Sequence, residues 1–218
     1  MSSPVRIGVD EAGRGAVIGP MTIAGVRCAD TELPEAVDDS KRLAGGQRRQ
    51  ISAALAMARQ IEVAYCHIQP GTIDDGRTNL TTLTIRGVAE VLRRLARPGD
   101  AVLLDAADVD AARFGRRVAH QLEEPEVSIT AEHRADATYP HVGAASIAAK
   151  VLRDAAIAAI DRRWTASGGV GSGYPSDPTT RAFIRHQLAA GTELPTVIRT
   201  SWSTVTQLQA EHDQQTLS

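Results

Sequence analysis

The segment Val5-Arg6-Ile7-Gly8-Val9-Asp10-Glu11-Ala12-Gly13-Arg14-Gly15 reads as a short strand running into a glycine turn, with two carboxylates at its end. Its β-branched residues favour an extended chain, and the glycines interrupt it. After Pro20, Met21 to Cys28 again reads as strand, so the pair predicts a β-hairpin with a wide connection. Ala101 to Asp105 is a compact apolar run of the kind buried on both faces of an α/β sheet, and it too ends in a carboxylate.

Outward from these runs, helical and extended patterns alternate. Gln47 to Ala58 has the composition of a helix, and Ile61 to Ile68 follows as an aliphatic strand. Leu80, Leu83, Val88, Val91, Leu92 and Leu95 recur near helical spacing and predict a helix from about Thr81 to Ala96. Asp108 to Leu122 reads as helix, Glu126 to Ala131 as strand, and His141 to about Trp164 as an Ala-rich helix. A Gly/Ser loop from Ser167 to Pro175 breaks it, and Asp177-Pro178 restarts a helix with Asp at the cap and Pro in the first turn. A last helix is expected over Ser201 to Glu211. With no internal repeat and no clear linker, the pattern predicts an α/β fold around a central mixed sheet.

The 218 residues suit one large domain, or one domain with an appendage. At 43% hydrophobic and 23% charged, the chain is apolar enough to bury a core and too weakly charged for a disordered tail. No uncharged apolar stretch approaches bilayer length, and the N-terminus lacks a secretory pattern, so a cytoplasmic protein with no membrane role is expected. Cys28 and Cys66 stand far apart without metal-ligand spacing and read as small core residues. A net charge of -2 argues against bulk attraction to nucleic acid, although a local basic patch fits within that total.

Four acids stand out: Asp10 and Glu11 after the first strand, Asp105 after a central one, and Asp136 after the strand Glu126 to Ala131. Strand ends in α/β sheets commonly meet at one edge. Carboxylates crowded there repel unless divalent cations neutralise them, and oxygen ligands suit Mg²⁺ or Mn²⁺ in phosphodiester hydrolysis. Taken singly, each acid is more often a turn or cap residue.

Gly13-Arg14-Gly15 lets backbone approach a ligand and offers an Arg to phosphate, yet it has neither dinucleotide-fold nor P-loop spacing. In Asp38-Asp39-Ser40-Lys41-Arg42, and in Ser146 with Lys150 at i, i+4, a hydroxyl accompanies a cation suited to phosphate; solvated surface charge is the plainer account of both. Tyr174 lies in a Gly/Ser/Pro loop of a chain only 3% aromatic, so it reads either as a stacking platform or as a ring folded back onto the domain. The histidines form no metal-binding or catalytic spacing.

Together these segments resemble type 2 ribonucleases H, the ribonuclease HII family, across nearly the whole chain. The resemblance rests on Asp10-Glu11-Ala12-Gly13-Arg14-Gly15, Asp39-Ser40-Lys41, Asp105, Ala131 to Asp136, Ala144 to Val151, and Gly171-Ser172-Gly173-Tyr174-Pro175-Ser176-Asp177-Pro178, whose form is archaeal-type. It implies an RNase H-like mixed sheet flanked by helices, as a catalytic domain over residues 1–190 with a helical C-terminal extension over 191–218. It also implies an endonuclease that hydrolyses RNA paired with DNA and incises DNA duplexes at embedded ribonucleotides.

Carried over by position, Asp10, Glu11, Asp105 and Asp136 would hold the metals, Mg²⁺ or Mn²⁺. Gly13, Arg14 and Gly15 would contact the ribonucleotide 2′-OH and neighbouring phosphates, and Tyr174 would stack under the adjacent sugar. Lys41 and Lys150, with Ser40 and Ser146, would bind backbone phosphate. Arg134 stands where many relatives carry Lys, with little expected effect. A monomer is expected. The tail ending Gln214-Gln215-Thr216-Leu217-Ser218 has no aromatic pair, so sliding-clamp docking is not expected. Two rivals remain: a phosphohydrolase of small nucleotides, which would need neither Tyr174 nor the lysines, and a catalytically silent nucleic-acid-binding module, which would have lost site acids.

Overall fold

The computed structural model describes residues 4–34, 37, 45–122 and 126–216. In chain order its main elements are β1 (Val5–Ala12), β2 (Met21–Ala29), α1 (Gly45–Met57), β3 (Glu62–Ile68), α2 (Pro70–Asp74), α3 (Leu80–Leu95), β4 (Ala101–Asp105), α4 (Ala111–Gln121), β5 (Ser128–Glu132), α5 (Pro140–Arg163), α6 (Pro178–Ala189) and α7 (Ser203–Thr216). The chain forms two compact units. The first comprises residues up to Ala12, Thr22–His67 and Leu80–Leu152; the second comprises Gly13–Met21, Ile68–Asn79 and Arg153–Ser218.

The first unit holds the sheet, in the order β3-β2-β1-β4-β5. β1 pairs antiparallel with β2 and parallel with β4, and β4 runs parallel to β5, so the sheet is mixed. Two glycines bring helices onto its opposite faces. In the β1–β2 register Gly8 faces Val26 and Val9 faces Gly25, so the two glycines point to opposite sides. A Cβ on Gly25 would lie 2.7 Å from Val91 Cγ1 of α3, while one on Gly8 would overlap the His141 carbonyl and Val142 nitrogen of α5. The α5 side is filled by Val26, Ile51, Leu55, Ala144, Ala145 and Ile147. α4 packs on β5, where Gly115 leaves only 3.3 Å between an added Cβ and that of Ala131. A mixed sheet flanked by helices, with a further C-terminal helix, is the RNase H-like arrangement that the resemblance implies.

The second unit has its own core, in which Val17, Ile18, Ile157, Phe183, Ile198 and Leu208 are buried. Trp164 meets Phe183 edge to face with ring centres 5.2 Å apart. Asp177 caps α6 by accepting the Thr179 N–H at 2.9 Å, as the Asp-Pro start predicts. α7 lies against α6, with Arg185 and Glu211 paired at 3.1 Å. Both cysteines are free thiols; Cys28 is buried and Cys66 partly so, and burial pushes their pKa values up to about 12 and about 11. No helix among the described residues is long and apolar enough to cross a membrane.

Candidate active site

The parallel register of β1 and β4 aligns Val9 with Leu104, so Asp10 and Asp105 are the next residues on two neighbouring strands, at the point where β4 ends and β1 runs on to Ala12. Asp10 is only 7% exposed. Its Oδ1 accepts the Glu11 N–H at 2.7 Å, and the Ser146 hydroxyl of α5 also bonds its carboxylate. Burial is the largest effect on its acidity, and the charges of Asp105 and Asp136 add to it. Against the two hydrogen bonds, these push its pKa up to about 7.

Asp105 is half-buried, and its Oδ1 accepts the Ala135 N–H at 3.0 Å. Burial raises its pKa as well, and the charge of Asp136 contributes. Asp136 sits in a 3-10 turn over Ala135–Ala137, entered through Arg134 at φ 59°, the left-handed conformation that reverses the chain just after β5. A hollow of about 210 Å³ opens beside it, lined by Val37, Ala137, Thr138, Tyr139 and Pro140. Glu11 follows on β1 and acts on Asp10 through its backbone N–H.

The first unit thus brings Asp10, Asp105 and Asp136 within electrostatic reach of one another. Among the described residues, no three His, Cys, Asp or Glu side chains are gathered closely enough to hold a metal by themselves. The donor set still fits a hard divalent cation. Mg²⁺ usually takes one or two carboxylates and completes its shell with water and substrate phosphate, and uncompensated negative charge around a buried carboxylate is what such an ion relieves.

Ser146 and Lys150 lie half-buried one turn apart on α5. The sequence pairs Ser146 with phosphate; in the fold its hydroxyl bonds Asp10, a tertiary contact that helical spacing does not reveal. Ser40 and Lys41, with Asp38, Asp39 and Arg42, lie outside the described residues. Gly13, Arg14, Gly15 and Tyr174 belong to the second unit. Gly13 has φ 81°, which a side chain would strain, and Gly15 is exposed with open space around it. The Tyr174 ring is neither buried nor free, because the Arg153 guanidinium lies 4.4 Å from its centre.

A family model of ribonuclease HII matches residues 7–205. The ribonuclease HII of Natronomonas pharaonis is 45% identical over 208 residues, covering 95% of each chain. The structure of ribonuclease H2 from Pyrococcus horikoshii is similar with a TM-score of 0.84 at 32% identity, over 96% of this chain and 99% of that one. The ribonuclease HII of Archaeoglobus fulgidus, solved as a complex with PCNA, gives a TM-score of 0.80 at 33% identity, over 91% and 95%. That complex corrects the expectation against sliding-clamp docking. A missing aromatic pair in the tail does not decide the matter when a protein this similar is found with the clamp. Family match, near-full-length identity and fold agree, and the chain belongs to the ribonuclease HII family.

Proposed function

We propose that the chain hydrolyses the RNA strand of RNA–DNA hybrids and incises DNA duplexes on the 5′ side of embedded ribonucleotides, leaving 3′-OH and 5′-phosphate ends. Family membership makes it a hydrolytic, divalent-metal-dependent ribonuclease H. The reading adds that Asp10, Glu11, Asp105 and Asp136 hold Mg²⁺ or Mn²⁺. The observation that carries it is the convergence of Asp10, Asp105 and Asp136: Asp10 is buried, and burial, with the charges of the other two adding to it, pushes its pKa up to about 7.

Held by Asp10, Glu11, Asp105 and Asp136, divalent ions would supply a nucleophile from water and would offset charge on the leaving 3′-oxygen. The protein's own part is to fix the ligands. Ser146 and the Glu11 N–H hold Asp10 in one rotamer, and the Ala135 N–H holds Asp105. Gly13, Arg14 and Gly15 read the 2′-OH and adjoining phosphates, and Tyr174 stacks under the neighbouring sugar. Lys150 grips backbone phosphate, with Ser40 and Lys41 in the same role by resemblance. The 2′-OH then serves as the handle that separates RNA from DNA and need not act as nucleophile. Clamp docking, as in the Archaeoglobus fulgidus complex, and a cytoplasmic setting belong to the same reading.

The test is a substrate panel: a duplex with one ribonucleotide, an RNA–DNA hybrid, an all-DNA duplex and free nucleotides. Cleavage of the first two alone is expected. Hydrolysis of free nucleotides without cleavage of either duplex would overturn the reading in favour of a small-nucleotide phosphohydrolase.

A further inference from the structure

The second unit buries two arginines that the sequence presents as ordinary charges. Arg199, between α6 and α7, is fully buried. Its Nε donates to the Gly19 carbonyl at 3.0 Å, Nη1 to that of Arg14 at 2.9 Å, and Nη2 to those of Gly13 and Gly19 at 2.8 and 2.9 Å. All of these acceptors are backbone carbonyls, so the charge is held by a loop folded around it. Its own backbone is anchored too. The Arg199 N–H reaches the Val17 carbonyl at 2.8 Å, and Asp74 accepts from the backbone N–H and hydroxyl groups of Thr200 and Ser201.

Carbonyl direction fixes amide direction. No peptide bond among the described residues is cis, so within each of these peptide units C=O and N–H point opposite ways. Turning the Gly13 and Arg14 carbonyls toward Arg199 therefore turns the Arg14 and Gly15 N–H groups away from it. Gly15 is exposed, with nothing within 4 Å of where a Cβ would stand. A backbone N–H turned this way beside open space, as at Gly15, suits phosphate and sugar oxygens.

Arg153, on α5, is 1% exposed, and its guanidinium lies against the Tyr174 ring. Nη2 donates to the Ser172 carbonyl at 2.8 Å, while the buried Nε has no hydrogen-bond partner. A residue serving only to fill this space would be apolar, because an unmet buried donor is costly. The ring face is what the cation gains in exchange. A Cβ on Gly13 would lie 2.7 Å from Nε and one on Gly173 2.9 Å from Nη2, so both glycines are needed to admit the guanidinium. The Val17 and Ile18 N–H groups both donate to the Gly173 carbonyl, at 2.8 and 3.0 Å, which locks the two loops together.

We propose that Arg199 and Arg153 are positioning residues for ribonucleotide recognition: Arg199 aims the Arg14 and Gly15 amides, and Arg153 sets the plane of the Tyr174 ring. This rests on the reading that Gly13 to Gly15 and Tyr174 contact substrate. Neither arginine touches the scissile phosphate in this account; each acts through the loop it holds.

A double-mutant cycle tests it, with kcat and KM measured on the single-ribonucleotide duplex and on the hybrid, and melting followed in parallel. Tyr174→Ala is expected to lower kcat/KM on the single-ribonucleotide duplex at least tenfold. Arg153→Leu should lower it at least fivefold, chiefly through KM, and should add nothing to Tyr174→Ala. Tyr174→Phe, which keeps the stacked ring, should retain the Arg153 dependence. Arg199→Lys should raise KM at least tenfold on both substrates. If that variant does not fold, Asp74→Ala takes its place, with at least a threefold rise expected. Additive losses in the Arg153–Tyr174 cycle, or a folded Arg199→Lys or Asp74→Ala enzyme within twofold of wild type in KM, would overturn the proposal. If Tyr174→Ala has no effect while Arg153→Leu does, the substrate-contact reading itself falls, and this inference with it.

Discussion

The Asp105 carboxylate accepts the Ala135 N–H at 3.0 Å, so the last residue of β4 holds the turn that carries Asp136. One side chain is therefore asked both to hold that turn and to supply negative charge. Asp105→Asn keeps an acceptor oxygen and removes the charge, whereas Asp105→Ala removes both. The Asn variant is expected to melt near wild type and to lose at least a thousandfold in kcat. The Ala variant should also lose about 1–3 kcal/mol of stability, the usual cost of stranding a partly buried N–H. Urea unfolding beside initial rates separates the two roles; equal stability of both variants would remove the structural one.

Asp10 is a stability liability in the metal-free protein. Its folded pKa of about 7 exceeds the ordinary 3.8, so between those values the native state binds a proton that the unfolded chain has released. Stability from this group is therefore lost as pH rises from about 4 to about 7. Asp10→Asn should melt higher than wild type at pH 8 without metal, and the gap should close toward pH 4. Added Mg²⁺ should stabilise wild type and leave the inactive variant nearly unchanged. A variant less stable than wild type at pH 8 would contradict the charge-crowding account.

Gly8 is required by packing. A Cβ there would overlap backbone atoms of His141 and Val142, and neither is a flexible side-chain end. Gly8→Ala must push α5 from the sheet, and with it Ser146, which bonds Asp10. A loss of about 3 kcal/mol, the upper part of the usual overpacking cost, is expected with a fall in activity, read from denaturant midpoints. A variant as stable as wild type would show that α5 is free to move.

His141 gives stability an acid limb. Burial holds its pKa below 6.5, against the opposing pull of the Cys28 carbonyl, at 3.3 Å, and of Asp30. As pH falls below about 6.5 the unfolded chain takes up a proton that the native imidazole resists, so stability drops until the folded pKa is passed. His141→Gln should flatten that limb below pH 6.5 in urea titrations; an unchanged slope would assign it to other groups.

Much of this was legible in the residues. β1, β2, β4 and the long helices follow from apolar pattern, and Asp177-Pro178 marks the start of α6. β1 runs on through Asp10 and Glu11 to Ala12 because β2 continues to pair with it, Glu11 opposite Ile23, which no local pattern at the acids announces. α2, from Pro70 to Asp74, is too short to show a period. Asp105 and Asp136 are legible from their place at or just after the ends of parallel strands, and Asp10 from its place beside Asp105 in the β1–β4 register. The bond from Ser146 to Asp10 is not legible in the sequence, since Lys150 is near in sequence while Asp10 is near only in the fold. Arg153 and Arg199 were passed over altogether, because only burial distinguishes them from surface charges.

The most direct test of the account is incision of an end-labelled DNA duplex carrying one ribonucleotide, beside an all-DNA control, with Mg²⁺, with chelator, and with Asp105→Asn. The account predicts a single cut 5′ of the ribonucleotide, leaving a 3′-OH, lost with chelator and in the variant. A cut that survives both, or a folded protein that leaves the ribonucleotide intact in Mg²⁺ and in Mn²⁺, would contradict it.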